Sequence, residues 1–435
     1  MEPPERRCLA LVDVNNCYVS CERLMRPDLE RTPMVILSNN DGVCVSRSAE
    51  VKALGSVPMG TPWHKMKNLA RQHGILAMSS NYELYGDMSR RFHGLLATWV
   101  PPHCQEIYSI DESFLDFGGQ RIDRTATGHA IKRQVQQWLG LPVCVGFGGS
   151  TKTLAKFANH VAKKRPEWQG VCDLTALSAE ERLALLDQFE AKDVWGIGRR
   201  LSEQLKEHGI HTAGDLARCD PKRARERWGV VMERTINELN GVSCIAWEDE
   251  PPTKQQIISS RSFGGPVYTV DELADPVRMH VGRAAEKLRA QGSVAGRLGV
   301  FITTNAFRPQ DPQYSPIRTI RLAVPTDDTA TLTVWAVQIL KSIFRPYRFV
   351  KAGVMLDDLR PKSVMQGSLF DALPSEQDMK REKLMGVMDK ANGKWGRGSL
   401  GIGSAGVKGE RDWSMQRGML SPRYTTRWNE LREIS

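Results

Sequence analysis

The sequence has 435 residues, 41% hydrophobic and 25% charged, which is the balance of a folded protein too long for one domain; two to four are expected. Its net charge of +10 points to a polyanionic partner. Nine scattered cysteines with no C-x-x-C pair argue against a zinc site and a disulfide framework and suit a reducing cytoplasm, and the apolar run in MEPPERRCLALVDV is too short for a signal peptide or a membrane span.

In chain order, CLALVDV (8–14) reads as a buried strand that delivers an acid, Asp13. MVILS (34–38) is a second apolar run, closed by a turn at Asn39-Asn40-Asp41-Gly42. SRSAEVKALG (46–55) has the pattern of a helix stopped by Gly55. QEIYSIDESFLDF (105–117) reads as two strands joined by a tight turn. GHAIKRQVQQWL (128–139) carries apolar residues at helical spacing, PVCVGFG (142–148) is a further strand, and STKTLAKFANHVAKKR is a helix ending before Pro166. Residues 173–245 break into short helical pieces without a convincing strand. Residues 246–256 (AWEDEPPTKQQ) suit a linker. Strand and helix patterns alternate again over 257–360, and 254–360 holds 15 Lys and Arg against 9 Asp and Glu. After Pro361 the pattern weakens, and the glycine-rich stretch at 393–409 reads as loop or tail.

The adjacent acids Asp111 and Glu112 need an explanation, because neighbours in a strand point to opposite faces. At the tip of a hairpin strict alternation lapses, and both carboxylates can lean toward the end of an adjacent strand, where Asp13 is the natural third member. Three convergent carboxylates repel one another unless a cation sits among them, and hard oxygen donors select Mg²⁺ or Mn²⁺. Two such ions serve phosphoryl chemistry. The alternative is that Asp111 and Glu112 are only polar turn residues.

The set DVNNCYVSCE (13–22), NNDGVCVSRSAEVKALG (39–55), YSIDESF (108–114) and TKTLAKFANHVAKK (151–164) resembles the Y-family DNA polymerases, and within them the UmuC type with its ImpB, MucB and SamB relatives. SSNYELYGDMS (79–89), DVWGIGRRL (193–201), TKQQIISSRSFG (253–264) and MLSPRYTTR (419–427) are similar to that type too. The resemblance implies that Asp13, Asp111 and Glu112 bind two Mg²⁺ ions (or Mn²⁺) and catalyse, with the Val14 carbonyl as a further metal ligand. It implies that Tyr18 is a steric gate against the ribose 2′-hydroxyl, and that Lys52 and Lys163 bind the triphosphate. Either lysine could instead be a solvated helix residue, and Tyr18 a core aromatic. This sequence departs from the family at Asn15, where an acid is common, at Cys17 before the gate, at Ala49, often a tyrosine, and at Lys52, usually an arginine.

WGIGRRLSEQLKEHGIHTAGDLA (195–217) looks like a helix-hairpin-helix in which Gly196 and Gly198 expose backbone amides to a DNA phosphate. QGSLF (366–370) resembles a sliding-clamp peptide, with Gln366, Leu369 and Phe370 as its anchors and Gly367 where a leucine is usual. The expected fold is α+β and multidomain, a right hand. It would have a ferredoxin-like palm (1–25 and 78–172), small fingers (26–77), a helical thumb (173–245), an α+β little finger (254–360) and a tail (361–435) carrying the clamp peptide and a partner-binding region. The implied activity is error-prone translesion synthesis in the SOS response, without proofreading. The implied partners are primer–template DNA, dNTPs, a cleaved UmuD-type dimer, RecA and the sliding clamp, with no membrane. Two rivals stay open: a non-catalytic DNA-binding or clamp-tethering protein, and a palm-type nucleotidyl cyclase.

Overall fold

The computed structural model describes residues 7–248, 253–364, 376–396, 398–401 and 415–431. The chain divides into two compact units. One comprises the chain up to Pro251 together with a return from Gly418 onward; the other runs from Pro252 to Arg417.

The first unit runs β1 (Leu9–Val14), α1 (Cys17–Met25), β2 (Met34–Leu37), β3 (Cys44–Arg47), α2 (Ala49–Ala53), α3 (Trp63–Gln72), β4 (Leu76–Ser79) and α4 (Tyr82–Leu96). It continues with β5 (Gln105–Ile107), β6 (Glu112–Asp116), α5 (Arg124–Leu139), β7 (Val143–Gly149), α6 (Lys152–Lys164) and β8 (Val171–Asp173). Five helices follow: α7 (Ala179–Leu186), α8 (Arg199–Glu207), α9 (Ala213–Arg218), α10 (Pro221–Trp228) and α11 (Val230–Leu239).

Five strands form one sheet in the order β5-β6-β1-β7-β8, with β1 antiparallel to both its neighbours at the centre. Period-two alternation divides β1 cleanly. Ala10, Val12 and Val14 enter a core with Phe92, Val145 and Phe147, whereas Leu9 and Leu11 pack with Phe114 and Ala155 on the opposite face. Asp13 continues that second face, the one covered by α6.

Helix α6 lies unusually close to the sheet. A Cβ on Gly146 would stand 2.1 Å from the Asn159 nitrogen, and one on Gly148 would stand 2.0 Å from the Ala155 nitrogen. Glycine at both positions lets helix backbone meet strand backbone. The Thr151 hydroxyl caps α6 by accepting from Leu154 N–H, and it donates to the Glu238 carbonyl, which ties α6 to α11.

A smaller sheet, β3-β2-β4, pairs β2 antiparallel with β3 and parallel with β4. The helix expected over 46–55 shrinks to α2, because Ser46 and Arg47 are paired into β3 against Ile36 and Val35 and Ser48 caps the helix. Sequence periodicity had not separated out β4, α3 or α4.

The second unit is a four-stranded antiparallel sheet, β11-β10-β12-β9, made of β9 (Ile257–Val267), β10 (Ser293–Thr304), β11 (Ile317–Thr326) and β12 (Phe349–Pro361). Helices α12 (Val270–Ala290) and α13 (Thr329–Ile343) share its apolar core. A Thr269–Glu272 capping box opens α12, and Pro276 is accommodated inside it. The weak pattern after Pro361 contains α14 (Glu376–Trp395), which buries Met385, Met388 and Ala391 and offers Asp389 to a two-pronged ion pair with Arg289.

All nine cysteines are free thiols. Among the described residues no helix is long and apolar enough to cross a membrane.

Candidate active site

The acids meet where β1 and β6 end. Asp13 and Glu112 are direct cross-strand partners, and Val14 N–H donates to the Asp111 carbonyl at 3.0 Å. Glu112 is the first residue of β6 and Asp111 lies just before it, in the turn. Only Glu112 is therefore bound by strand alternation, and it shares a face with Phe114 and Asp13. The turn is fastened from inside. Ser109 Oγ donates to Asp111 Oδ1 at 2.7 Å, and the Ser109 carbonyl lies 3.0 Å from Nε2 of buried His93. Burial holds His93 below the usual imidazole range, so the ring is neutral and donates through that nitrogen.

Three lysines of α6 answer three acids of the sheet. Lys163 Nζ lies 2.5 Å from Asp13 Oδ1, Lys156 Nζ 2.9 and 3.0 Å from the two oxygens of Glu112, and Lys152 Nζ 2.6 Å from Glu106. Positions 152, 156 and 163 fall on one helical face. Burial pushes Asp13 up to about 7 against the pull of Lys163, and Glu112 and Asp111 add repulsion. The acids thus feel one another. Among the described residues no three His, Cys, Asp or Glu side chains are drawn close enough to enclose an ion. Asp13 and Glu112 are each neutralised by an ammonium group instead. All-oxygen donors, adjacent and mutually repelling, fit a divalent cation that would take over the role of those ammonium groups.

Lys52, on exposed α2, donates from Nζ to Asn16 Oδ1. Partial burial, with Arg47 and Lys163 nearby, lowers its pKa. Lys52, Arg47 and Lys163 therefore share a cationic field at the edge of Asp13. Asn16 itself is in the left-handed region (φ 50°) at the start of α1, which aims the first turn of that helix, and with it Tyr18, at the same place. The Tyr18 ring is half-buried and stacked on Tyr85, with centroids 4.4 Å apart and planes 14° apart. Tyr82 meets it edge-on at 6.1 Å.

Gly196 adopts φ +90°, and Gly198 caps α8. The leading N–H groups of a helix have no partner in their own helix. Trp195 stands immediately before this turn, and its ring contacts Tyr108 of the acid-bearing hairpin; Lys156 Nζ lies 4.2 Å from the Tyr108 ring centre and 5.2 Å from that of Trp195. Gln366, Leu369 and Phe370 lie outside the described residues.

Reasoning from sequence passed over Lys156, Arg47, Ser109 and the Tyr82–Tyr85 pair. The 152/156/163 spacing carried the signal for Lys156, but a lysine on a helix is ordinarily solvated.

The sequence matches the impB/mucB/samB family over residues 12–160, the C-terminal domain of that family over 254–369, and a domain of unknown function over 382–434. It is 43% identical to protein UmuC of Salmonella typhimurium, over 98% of this chain and 99% of the relative, and 40% identical to protein ImpB of Salmonella typhimurium, over 97% and 98%. DNA polymerase IV 1 of Bacillus subtilis is 24% identical over 91% and 92%. Among solved structures, a Y-family DNA polymerase chimera of Dbh and Dpo4 superposes with a TM-score of 0.63 at 18% identity, over 81% of this chain and 99% of that one. The fold is that of these polymerases.

Proposed function

The chain belongs to the impB/mucB/samB family, and from that premise we propose that it is a template-dependent, error-prone translesion DNA polymerase of the UmuC type. It would act in the SOS response and without proofreading. The observation that carries this reading is the directly opposed Asp13–Glu112 pair, with Asp111 in the adjoining turn and Lys163 and Lys52 beside them.

Asp13, Asp111 and Glu112, with the Val14 carbonyl, would hold two divalent cations, Mg²⁺ or Mn²⁺. Bound there, such ions activate the primer 3′-hydroxyl and neutralise the departing pyrophosphate. Lys163 and Lys52 would take the triphosphate as point charges. For this Lys163 exchanges its Asp13 partner for a phosphate oxygen. Tyr18, braced flat against Tyr85, leaves no room for a 2′-hydroxyl.

The palm assignment (1–25 and 78–172) is supported by the five-stranded sheet, and the fingers (26–77) by the β3-β2-β4 sheet. The thumb (173–245) is supported by α7 to α11, whose Gly196–Gly198 turn would offer amides to a DNA phosphate. The little finger (254–360) would follow the duplex with basic residues such as exposed Arg318 and Arg321 of β11. DNA and dNTPs are the substrates. The clamp, engaged through 366–370, a UmuD-type dimer and RecA are the proposed partners. A tethering protein with a relict site would have no use for a buried carboxylate repelled by two half-buried ones, and a nucleotidyl cyclase needs no duplex grip.

The test is primer extension opposite an abasic site with Mg²⁺ and dNTPs, in the presence and absence of RecA and a UmuD-type dimer. Asp111→Asn and Glu112→Gln should each abolish extension by the wild-type chain while DNA binding persists. Extension untouched by both substitutions sinks the assignment.

A further inference from the structure

The chain returns to the first unit at Gly418, far in sequence from anything it touches there. Gly418 N–H donates to Asp41 Oδ2 at 2.9 Å. Met419 forms a two-way link with Ser79: its N–H donates to Ser79 Oγ at 3.0 Å, and its carbonyl accepts from Ser79 N–H at 2.9 Å. Asn81 Nδ2 reaches Ser421 Oγ at 2.8 Å and the Pro422 carbonyl at 3.1 Å. Tyr424 is buried in the core shared by α1 and α4. Ser421 is 5% exposed.

These contacts converge on one acid that the proposed chemistry does not use. Glu22 is fully buried, one turn after Tyr18 on α1. Its Oε1 accepts from Ser421 Oγ at 3.0 Å and from the Tyr85 hydroxyl at 2.7 Å. Tyr85 is the ring on which Tyr18 is stacked. Asn81, the other residue gripped by the return, is the N-cap of α4, the helix that carries Tyr82 and Tyr85. The returning segment therefore fixes both ends of the surface behind Tyr18: the start of α4 through Asn81, and the Tyr85 hydroxyl through Glu22.

We propose that the C-terminal segment 418–424 is a positioning element for sugar selection, with Ser421, Glu22 and Tyr85 holding the Tyr18 ring at the height that excludes a 2′-hydroxyl. This rests on the polymerase reading above. A ring with a loose backing can retreat from the sugar. The expected consequence is selective: ribonucleotides gain, while deoxynucleotides, which never pressed on the ring, do not.

The experiment compares kcat/KM for dCTP and rCTP opposite template guanine. It uses the full chain with RecA and a UmuD-type dimer, and sets Ser421→Ala and Tyr85→Phe against wild type, with Tyr18→Ala as the control for a missing gate. Ser421→Ala and Tyr85→Phe should each raise the rCTP:dCTP ratio by roughly fivefold, the scale of one hydrogen bond, and Ser421→Thr should restore it. A ratio that stays at the wild-type value, whether dCTP use is intact or falls together with rCTP use, overturns the proposal, because a merely structural brace changes both sugars alike. Should Ser421→Ala fail to fold, Tyr85→Phe decides alone, since it keeps the ring and removes only the hydroxyl. Wild-type protein that uses neither nucleotide refutes the polymerase reading itself, and the inference with it.

Discussion

Lys163 Nζ stands 2.5 Å from Asp13 Oδ1, and yet Asp13 is pushed up to about 7. Burial of the carboxylate, reinforced by Glu112 and Asp111, outweighs the lysine. The end of β1 therefore holds a carboxylate whose burial its own lysine only partly offsets.

A pH dependence follows. The unfolded value of Asp13 lies near 3.8 and the folded value near 7. A raised acid contributes stability that is fully present below the unfolded value and is lost as pH rises through the folded one. In chelator, the urea midpoint should fall between about pH 4 and pH 7, with Asp13 contributing up to ~4 kcal/mol. Asp13→Asn should flatten that fall. Equal slopes for the two proteins by urea titration at several pH values would refute the assignment.

Primer extension at limiting Mg²⁺ should rise with pH through about 7, because only ionised Asp13 accepts a cation. Raising Mg²⁺ should move the midpoint to lower pH, which rate–pH profiles at two metal concentrations would reveal.

Lys163→Ala should raise KM for dNTP by about tenfold or more, since a charged hydrogen bond to phosphate contributes roughly 1.5–3 kcal/mol. Lys52→Ala, on an exposed helix, should have the smaller effect. Steady-state kinetics with each variant would check the order.

The Lys152–Glu106 pair is almost fully buried, and Lys152 also donates to the Ala246 carbonyl at 2.6 Å. Lys152→Met alone should cost about 3–5 kcal/mol, because the buried Glu106 carboxyl loses its ammonium partner and keeps only the Glu248 N–H, 3.0 Å away. Adding Glu106→Gln should recover much of that loss. A double-mutant cycle by chemical denaturation measures both.

Gly148→Ala should destabilise the first unit by ~1–3 kcal/mol, since its Cβ would stand 2.0 Å from the Ala155 nitrogen. It should also impair dNTP use, as α6 carries Lys163. Thermal unfolding together with KM would detect both effects.

Much of the site could be read from local pattern. CLALVDV alternates, so Asp13 had to share a face with Leu9 and Leu11, and the turn in IYSIDESF freed Asp111 from that alternation. Lys156 was missed for a physical reason: its partner Glu112 lies 44 positions away, and only the close approach of α6 at Gly146 and Gly148 brings the two together. The grip of Ser421 on Glu22 spans 399 positions and leaves no periodic trace. Helix α14 was invisible because its apolar residues are spread around the axis rather than gathered in one stripe.

The return at Gly418 also bears on synthesis. A ribosome adds about 5–20 residues per second, so the roughly 170 residues between the two parts of the first unit impose a delay of ~10–30 s. During that interval Glu22 and Asn81 have emerged, but their partners in the return, Ser421 and Pro422, have not. The hold on Glu22 and on the start of α4 therefore waits for the return, and a chain arrested before Gly418 carries the acids without it.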